Sequence, residues 1–452
     1  MFFAQNQTVK GHYALNFNIL KQVRQQIYDS FERGSDALFN LCDALLCEDQ
    51  ARSLPELSQS PCFERAWPSL YQALEHGKIN ETELREAWMK ALLAETPMGE
   101  TIWISVDASS IPRPEAETRA DRGIIHVSNL PRAVKPISVG WQFSTVMLLP
   151  QEPCSWVGIL DQRRITTEQT AIEVAIAQLQ TLVPLLKRPI IVVADRWYAT
   201  TDFLRVCQQL GCQVLIRLKR NRKLYRPPVR TRPKGRPPLD GPLFQGTRPE
   251  TLNGAEAVWM SHDEQGHLMT VSRWSGLHFR QAREVPVRVF RVLREGAKDS
   301  KRDPRESWFV CLDEHQISLP LETIKHSYAR RFSQEHGYRY LKQDLLWGEV
   351  HVRTPEQFER WSLIVSSVMN QLSLARGLGQ ACYRPWEGRR HMATPRQVRR
   401  VMPTILSQVG TPARRCQRRG KSPGRALGFH PTPAPRYEVV IKARKKAAQP
   451  SG

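Results

Sequence analysis

Two aspartates occupy the same kind of position in this 452-residue chain. Asp107 directly follows the apolar run 101–106 (TIWISV), and Asp195 follows the run 189–194 (PIIVVA). In open α/β sheets, ligands bind just outside the carboxyl ends of the strands, where a carboxylate is exposed while its strand is buried. Either aspartate alone could be an ordinary turn or helix-cap residue. Together they predict a catalytic or ligand-binding site, and a glycosidase acid–base pair is one use of two carboxylates.

A second set of polar residues has a regular spacing further along the chain. Tyr328, Arg331, Glu335 and Lys342 lie at offsets of 0, 3, 7 and 14. In a helix of about 100° per residue these offsets fall within a wedge of roughly 60°. One helical face would then present an acid beside a phenol, a guanidinium and an ammonium group. A solvated face with incidental ion pairs would have the same pattern, and Gly337 could bend the helix.

The elements that must position these residues have the periodicities of a mixed α/β fold. Apolar runs rich in β-branched residues predict strands at 101–106, 136–149, 156–160, 189–194 and 212–218. A capping box of Thr166 and Gln169 predicts a helix between the third and fourth strands, and a helix over about 200–210 joins the fourth and fifth. Three strands followed by helix, strand, helix and strand indicate a layer with parallel crossovers.

Composition divides the rest of the chain into further segments. Residues 1–95 have helical periodicity and could be a DNA-reading module or a plain packing unit. Residues 219–305 begin as a basic, Pro-rich loop and continue as strand-like runs, which predicts a β-rich insertion between two parts of the α/β core, 100–218 and 306–380. Residues 381–452 have the composition of a basic, flexible C-terminal tail.

Basic charge dominates the chain. Lys and Arg number 66 against 44 Asp and Glu, a formal net charge of +22. A chain so basic usually has a polyanionic partner, nucleic acid first, and this charge argues against the glycosidase interpretation. No run reaches the roughly 18 apolar residues of a membrane span, and the first residues lack the apolar centre of a signal peptide. We therefore expect a cytoplasmic protein without membrane contact that associates with the nucleoid when bound to DNA.

The spacing Tyr328-x2-Arg331-x3-Glu335-x6-Lys342 resembles the YREK signature of the insertion-sequence-four superfamily of DDE transposases. The order of the other features is similar too: a first Asp after strand one, a second Asp after strand four, a β-rich insertion and then a glutamate helix. The resemblance covers about residues 100–376. It implies an α/β fold with an RNase H-like catalytic core, in which a mixed five-stranded sheet with helices is interrupted by the insertion.

The resemblance also implies the catalytic residues. Asp107, Asp195 and Glu335 would form the catalytic triad and hold two Mg²⁺ ions, for which Mn²⁺ could substitute. Two hard divalent cations about 3.5–4 Å apart need anionic oxygen ligands, which three carboxylates provide. The other signature residues would bind DNA near the scissile bond, through phosphates at Arg331 and Lys342 and through strand positioning at Tyr328.

Three further places are predicted to contact DNA. Arg196, beside the second Asp, is a candidate phosphate contact. Family members with a β insertion use a tryptophan there to stack on a base flipped from the duplex. Trp259 and Trp274 lie in the insertion here, and Trp274 is favoured because an arginine precedes it, although either could be a core residue. Residues 232–237 (RPKGRP) resemble an AT-hook whose Arg236 would enter an A·T minor groove; an ordinary charged linker would have the same composition.

The predicted function is that of a DNA transposase. It would bind the terminal inverted repeats of an insertion sequence, cleave phosphodiesters at the element ends and join the 3′-hydroxyl ends to target DNA. A homodimer on double-stranded DNA is expected, because two ends must be processed together. Two alternatives stay open: a catalytically inactive, end-binding DNA protein, and a metal-dependent nuclease of the same fold that cuts without joining.

Overall fold

The computed structural model describes residues 17–94, 96–127, 136–229, 238–300, 304–313, 315–378, 383–388, 392–417 and 424–442. Its N-terminal part is helical, as the periodicity predicted. The helices there are 17–29 (α1), Ser35–Cys47 (α2), Leu54–Leu57 (α3), Pro68–His76 (α4) and Glu81–Leu92 (α5). An antiparallel pair of short strands, Phe31–Arg33 (β1) and Lys78–Ile79 (β2), lies between these helices.

A large mixed sheet forms the centre of the molecule. Its first strands are Ile102–Pro112 (β3), Gly123–His126 (β4), Ile137–Leu149 (β5), Gly158–Ile165 (β6), Ile190–Ala194 (β7) and Gln213–Arg217 (β8). The order β6-β5-β3-β7-β8 has β3, β7 and β8 parallel, with β5 and β6 antiparallel, and β4 pairs with the beginning of β5. This mixed α/β arrangement is consistent with an RNase H-like fold.

The segment after β8 extends the same sheet. Its strands are Leu224–Tyr225 (β9), Leu243–Phe244 (β10), Ala257–His262 (β11), Leu268–Phe279 (β12), Ala282–Arg294 (β13) and Glu306–Leu312 (β14). A 3-10 turn at Pro249–Thr251 precedes β11. Because β14 pairs antiparallel with β8, and β13 with β14, the strands of the insertion continue the hydrogen-bonded layer that carries the two aspartates.

Helices cover both faces of the sheet. Ala171–Leu186 (α6) and Thr201–Gln209 (α7) lie on one face. The opposite face is covered by the N-terminal helices together with Ile324–Ala329 (α8), Arg331–Gln343 (α9) and Pro355–Ala375 (α10); the 3-10 turn Leu321–Thr323 leads into α8. Side chains alternate along β3, so that Ile104 packs toward α6 while Trp103 joins the other core. The helices of the first 95 residues thus share a hydrophobic core with α10.

The start of α6 differs from the prediction. Thr170, not Thr166, is the N-cap, and Glu173 completes the capping box, so the helix begins at Ala171. Thr166 accepts a hydrogen bond from the Gln169 amide (3.1 Å) and closes a turn before the helix. The sequence contains two successive capping patterns, Thr166 with Gln169 and Thr170 with Glu173. The helix begins at the second, which places its apolar residues against the sheet.

Part of the predicted flexible tail is a packed helix. Pro395–Val409 (α11) lies against α2 and α10, with a capping box at Thr394 and Gln397. Its buried residues Val398, Met402 and Ile405 share one face because they are spaced by four and three. The composition of the segment concealed this stripe, and the expectation of an unpacked tail is wrong for residues 395–409. In the described part of the chain, no helix is both long and apolar enough to cross a membrane.

Candidate active site

The parallel strands bring three polar residues into one row. Val106 pairs with Ala194 across β3 and β7, and Ala194 pairs with Ile216 across β7 and β8. The next residues along these strands are Asp107, Asp195 and Arg217. Because neighbouring strands lie about 4.8 Å apart, the two aspartates stand side by side at the sheet edge, with Arg217 next to Asp195.

Local hydrogen bonds fix the orientation of the aspartates. Asp107 lies within β3, where its Oδ1 accepts the Ala108 amide (2.9 Å). Asp195 ends β7 and opens a tight turn: its side chain accepts the Arg196 amide (2.6 Å) and its carbonyl accepts the Tyr198 amide (2.9 Å). Asp195 therefore lies at the end of its strand, as the sequence predicted. The prediction that Asp107 also ends a strand is wrong, because β3 continues to Pro112; Asp107 instead lies where the parallel pairing of β3 with β7 ends.

Arg331 joins the third acid to the first. Its Nη2 donates to Asp107 Oδ2 (2.9 Å), and its Nη1 donates to Glu335 Oε1 (2.8 Å) one turn along α9. The Arg331 side chain is 14% exposed, against 23% for Asp107 and 57% for Glu335. The guanidinium is thus held between a partly buried carboxylate and a solvent-facing one, and its Nε has no hydrogen-bond acceptor among the described residues.

The other two signature residues lie at the ends of this arrangement. Lys342 Nζ donates to the Ser110 carbonyl of β3 (2.8 Å). Tyr328 lies in α8, and its ring packs on Phe309 with a centroid distance of 4.8 Å. The predicted single helix is divided at Arg330, although this residue keeps right-handed helical angles (φ −54°, ψ −28°).

Gly337 serves packing, not bending. Helix α9 runs through it without interruption. A Cβ at this position would lie 2.7 Å from Val157 Cγ2, so only glycine lets the helix approach the segment before β6 this closely. One residue later, the Tyr338 hydroxyl donates to the Asp107 carbonyl (2.9 Å) and fixes α9 against β3. The expectation that Gly337 could bend the helix is wrong.

Burial and charge shift the proton affinities of these groups. Burial raises the pKa of Asp107, and the nearby Asp195 and Glu335 carboxylates add to this, while Arg331 and the Ala108 amide oppose it. Burial also disfavours the charge of Arg331, but Asp107, the Tyr328 phenol and the other two acids hold its pKa above the usual value. Coupling of Asp107 with Asp195 and Glu335 places the three carboxylates in one electrostatic site.

The donor chemistry of this site fits a hard divalent cation. Such cations take carboxylate oxygens, and Asp107, Asp195 and Glu335 supply them. Within the described ranges, no three Asp, Glu, His or Cys side chains are grouped as a metal site. Asp107 and Glu335 instead meet through Arg331, whose positive charge occupies the place between them. A divalent cation held by all three acids would therefore replace the guanidinium as the positive charge between Asp107 and Glu335.

The remaining predicted DNA contacts have different surroundings. Arg196 is exposed beside Asp195. Trp274 is 3% exposed, stacks on Trp308 (centroids 5.9 Å apart) and donates its indole N–H to the Leu252 carbonyl (3.1 Å). The structure thus makes Trp274 a core residue, which contradicts its assignment as a base-stacking residue. Trp259 is partly exposed on β11, and Arg236 and the AT-hook-like segment lie outside the described residues.

Sequence reasoning missed two residues at this edge. Arg217 ends β8 beside Asp195 in this row, and no described residue accepts a hydrogen bond from its guanidinium. The same strand-end rule, applied to the run 212–218, would have found it. Trp197, two residues after Asp195, is 64% exposed; a tryptophan so close to a candidate catalytic acid was the available signal.

The mixed α/β fold and the row of Asp107 and Asp195 define a class of nuclease-like α/β proteins. A comparison with protein-family models gives the same class. Residues 26–278 match the model of a family described as DDE superfamily endonuclease. The match covers more than half of the chain, and the chain belongs to this superfamily. The superfamily is one of DNA nucleases and transposases that typically use divalent metal ions. The matched segment contains Asp107 and Asp195 and ends before α9. No curated protein matches the chain.

Proposed function

We propose that the protein is a DNA transposase of the insertion-sequence-four group. It binds the terminal inverted repeats of its own element, hydrolyses a phosphodiester at each end and joins the freed 3′-hydroxyls to target DNA. The observation that carries this proposal is the row of Asp107 and Asp195 on adjacent parallel strands, with Glu335 brought to it from α9 through Arg331. Membership of the DDE endonuclease superfamily and the net charge of +22 support a DNA substrate.

Asp107, Asp195 and Glu335 are the proposed ligands of Mg²⁺. Bound divalent ions supply a Lewis acid for the scissile phosphate and lower the pKa of the attacking water or hydroxyl. The chain's own residues place the DNA. Arg331 lies between Asp107 and Glu335, and its guanidinium matches a phosphate in geometry as well as charge. Lys342 binds a phosphate as a point charge.

Other parts of the chain support binding outside the active site. Arg196 and Arg217 add positive charge beside Asp195. Tyr328 lies partly buried against Phe309, and we assign to it the positioning of the DNA strand near Arg331. We assign DNA binding to the helices of residues 1–95 and to the basic residues after 381. Because two element ends are processed together, the protein acts as a homodimer on DNA. The reaction takes place in the cytoplasm, where the element's DNA lies.

The test is a reaction on a plasmid that carries the inverted repeats flanking the gene, with magnesium. The wild-type chain is compared with Glu335→Gln and with Glu322→Gln, an exposed glutamate before α8 that serves as the matched control. We expect cleavage at the repeat ends and joined products with wild type and Glu322→Gln, and neither product with Glu335→Gln. Cutting without joining would favour a nuclease, and binding without cutting by wild type an inactive end-binding protein.

A further inference from the structure

Trp197 stands out at the active-site edge because its indole faces solvent. It is 64% exposed, whereas the next residue, Tyr198, is 3% exposed. Trp197 lies two residues after Asp195, so the two Cα atoms are at most about 7 Å apart. That separation corresponds to about two nucleotides of a strand at 3.4 Å each. An exposed indole therefore lies within reach of any DNA strand whose phosphate meets Asp195.

The turn after β7 keeps this indole outside the core. The Tyr198 amide donates to the Asp195 carbonyl (2.9 Å), and the Thr200 amide donates to the Tyr198 carbonyl (2.8 Å). Tyr198 fills the interior position below the turn, where its ring contacts Phe203 with centroids 5.4 Å apart. Because Tyr198 already occupies that space, Trp197 stays at the surface when the site is free of ligand.

A lysine from the neighbouring strand end lies over the indole. Lys219 Nζ is 3.8 Å from the centroid of the Trp197 ring, which places a cation over one face and leaves the other side of the ring accessible. Lys219 follows Arg217, the residue that stands next to Asp195 in the strand-end row. The following basic segment is attached to the same turn, since Arg222 Nη2 donates to the Ala199 carbonyl (3.2 Å).

A flat π surface beside several cations suits an unpaired nucleotide. Proteins bind single-stranded nucleic acid by stacking bases on aromatic rings and following the backbone with basic groups. A singly exposed aromatic is ordinary on protein surfaces. Trp67, just before α4, illustrates this: it is 62% exposed, and its ring contacts Tyr71 with centroids 5.9 Å apart. Trp197 differs in combining exposure with a cation and with a place beside Asp195.

We propose that Trp197, with Lys219 over its ring, is the stacking site for one unpaired base of the DNA strand whose phosphate lies at Asp195. The inference rests on the proposed function, because it needs DNA at this edge. The ligand is a nucleotide whose base has left its pair, so single-stranded DNA should use the site and an intact duplex should not. The exposed Arg196 follows Asp195 in the chain, and the partly exposed Arg217 lies beside Asp195 on β8, so both are placed to contact phosphates next to that nucleotide.

Binding of defined oligonucleotides by the full chain tests this site. The probes are single-stranded oligonucleotides of about 12 nucleotides, with 2-aminopurine placed at successive positions, and the blunt duplex of the same sequence. Fluorescence anisotropy gives the affinity, and quenching of 2-aminopurine reports stacking; EDTA prevents cleavage. The variants are Trp197→Ala, Trp197→Phe and, as an exposed apolar residue outside the parts assigned to DNA binding, Leu185→Ala on α6.

We expect Trp197→Ala to weaken single-strand binding by about 5- to 150-fold and to abolish the quenching at the stacked position. Trp197→Phe should retain part of the affinity and of the quenching, Leu185→Ala should match wild type, and duplex affinity should change little in all variants. Unchanged affinity and quenching in Trp197→Ala, with wild type binding DNA, would overturn the stacking site and leave the proposed function standing. Failure of wild type to bind either probe would overturn the proposed function and the site with it.

Discussion

Replacing Arg331 by glutamine removes the cation that neutralises the buried side of the active site. Arg331 is the direct partner of Asp107 (2.9 Å) and of Glu335 (2.8 Å). Glutamine keeps a hydrogen-bonding amide but loses the charge. Asp107 would then be a partly buried carboxylate beside two other acids, and among the described residues the Ala108 amide would be its remaining hydrogen-bond donor. We therefore predict a loss of stability in the metal-free protein.

The expected loss follows from the exposure of the two partners. Removing one partner of a buried ion pair costs about 3–5 kcal/mol, and the 23% exposure of Asp107 favours the lower end of that range. The Arg331–Glu335 pair adds only about 0.3–0.5 kcal/mol, because Glu335 is 57% exposed and lies four residues along the helix. We expect the free energy of unfolding to fall by about 3 kcal/mol at pH 8.

The loss should depend on pH with a defined sign. Burial raises the pKa of Asp107 above its usual value, so the folded state holds this proton more tightly than the unfolded state. The contribution of Asp107 to stability is then fully present below its unfolded pKa and is lost as pH rises through its folded pKa. Without Arg331 the folded pKa rises further. The difference between wild type and variant should therefore shrink as pH falls and Asp107 becomes protonated in both proteins.

Urea unfolding followed by circular dichroism, at several pH values and with or without Mg²⁺, measures these effects. A divalent ion that binds the acids should stabilise Arg331→Gln more than wild type, since in wild type it must compete with the guanidinium. Arg330→Gln is the matched control: Arg330 bonds to Gln151 Oε1 (2.8 Å) and lies over the Trp103 ring, away from Asp107. Equal losses for Arg331→Gln at all pH values, with no additional stabilisation by Mg²⁺, would refute this account.

Three further substitutions test how the elements are held together, each by urea unfolding. Gly337→Ala should lower the free energy of unfolding by about 1–3 kcal/mol, because its Cβ would lie 2.7 Å from Val157 Cγ2, whereas Gly99→Ala, with no atom within 4 Å, should change it little. Asp161→Ala should cost about 3–5 kcal/mol, since this fully buried carboxylate pairs with two arginines; a loss below about 1 kcal/mol would contradict the buried pairing. Arg399→Ala should cost about 3 kcal/mol and increase proteolysis around α11, because the buried guanidinium donates to three backbone carbonyls; unchanged proteolysis would mean that α11 is held otherwise.

The sheet edge was predictable because its causes are local. A strand buried on both faces requires an apolar run, so Asp107 and Asp195 mark in the sequence where the parallel pairing of β3 with β7 ends. The sequence did not show that β3 continues past Asp107 to Pro112, where it pairs with β5 alone. Crossover helices between parallel strands then place both ends at one edge. The spacing of Arg331 and Glu335 predicted their contact on one helix. What spacing could not give is the third partner, since the contact of Arg331 with Asp107 joins residues 224 positions apart.

The incorrect predictions also have physical causes. Trp274 was favoured as a DNA contact because Arg273 precedes it. Consecutive residues of a strand point to opposite faces, so the position of Arg273 says nothing about the exposure of Trp274. The tryptophan packs instead between Phe244 and Trp308 in the core covered by α6 and α7. The segment of α11 was predicted to be a flexible tail because it is rich in basic residues and prolines. Its apolar residues nevertheless form one helical face, which is buried against α2 and α10.

Two of the residues assigned to DNA binding also attach α9 to the sheet. Arg331 bonds to the Asp107 side chain, and Lys342 bonds to the Ser110 carbonyl, so both ends of the helix are fixed to β3. These contacts do not exhaust either side chain. Lys342 has three N–H donors and uses one on Ser110. Arg331 has five and uses two, on Asp107 and Glu335; its Nε is buried, so the other Nη N–H groups are the donors left for a phosphate. DNA phosphates can therefore be bound by donors that are still free, and the helix that carries Glu335 need not leave β3 when the substrate arrives.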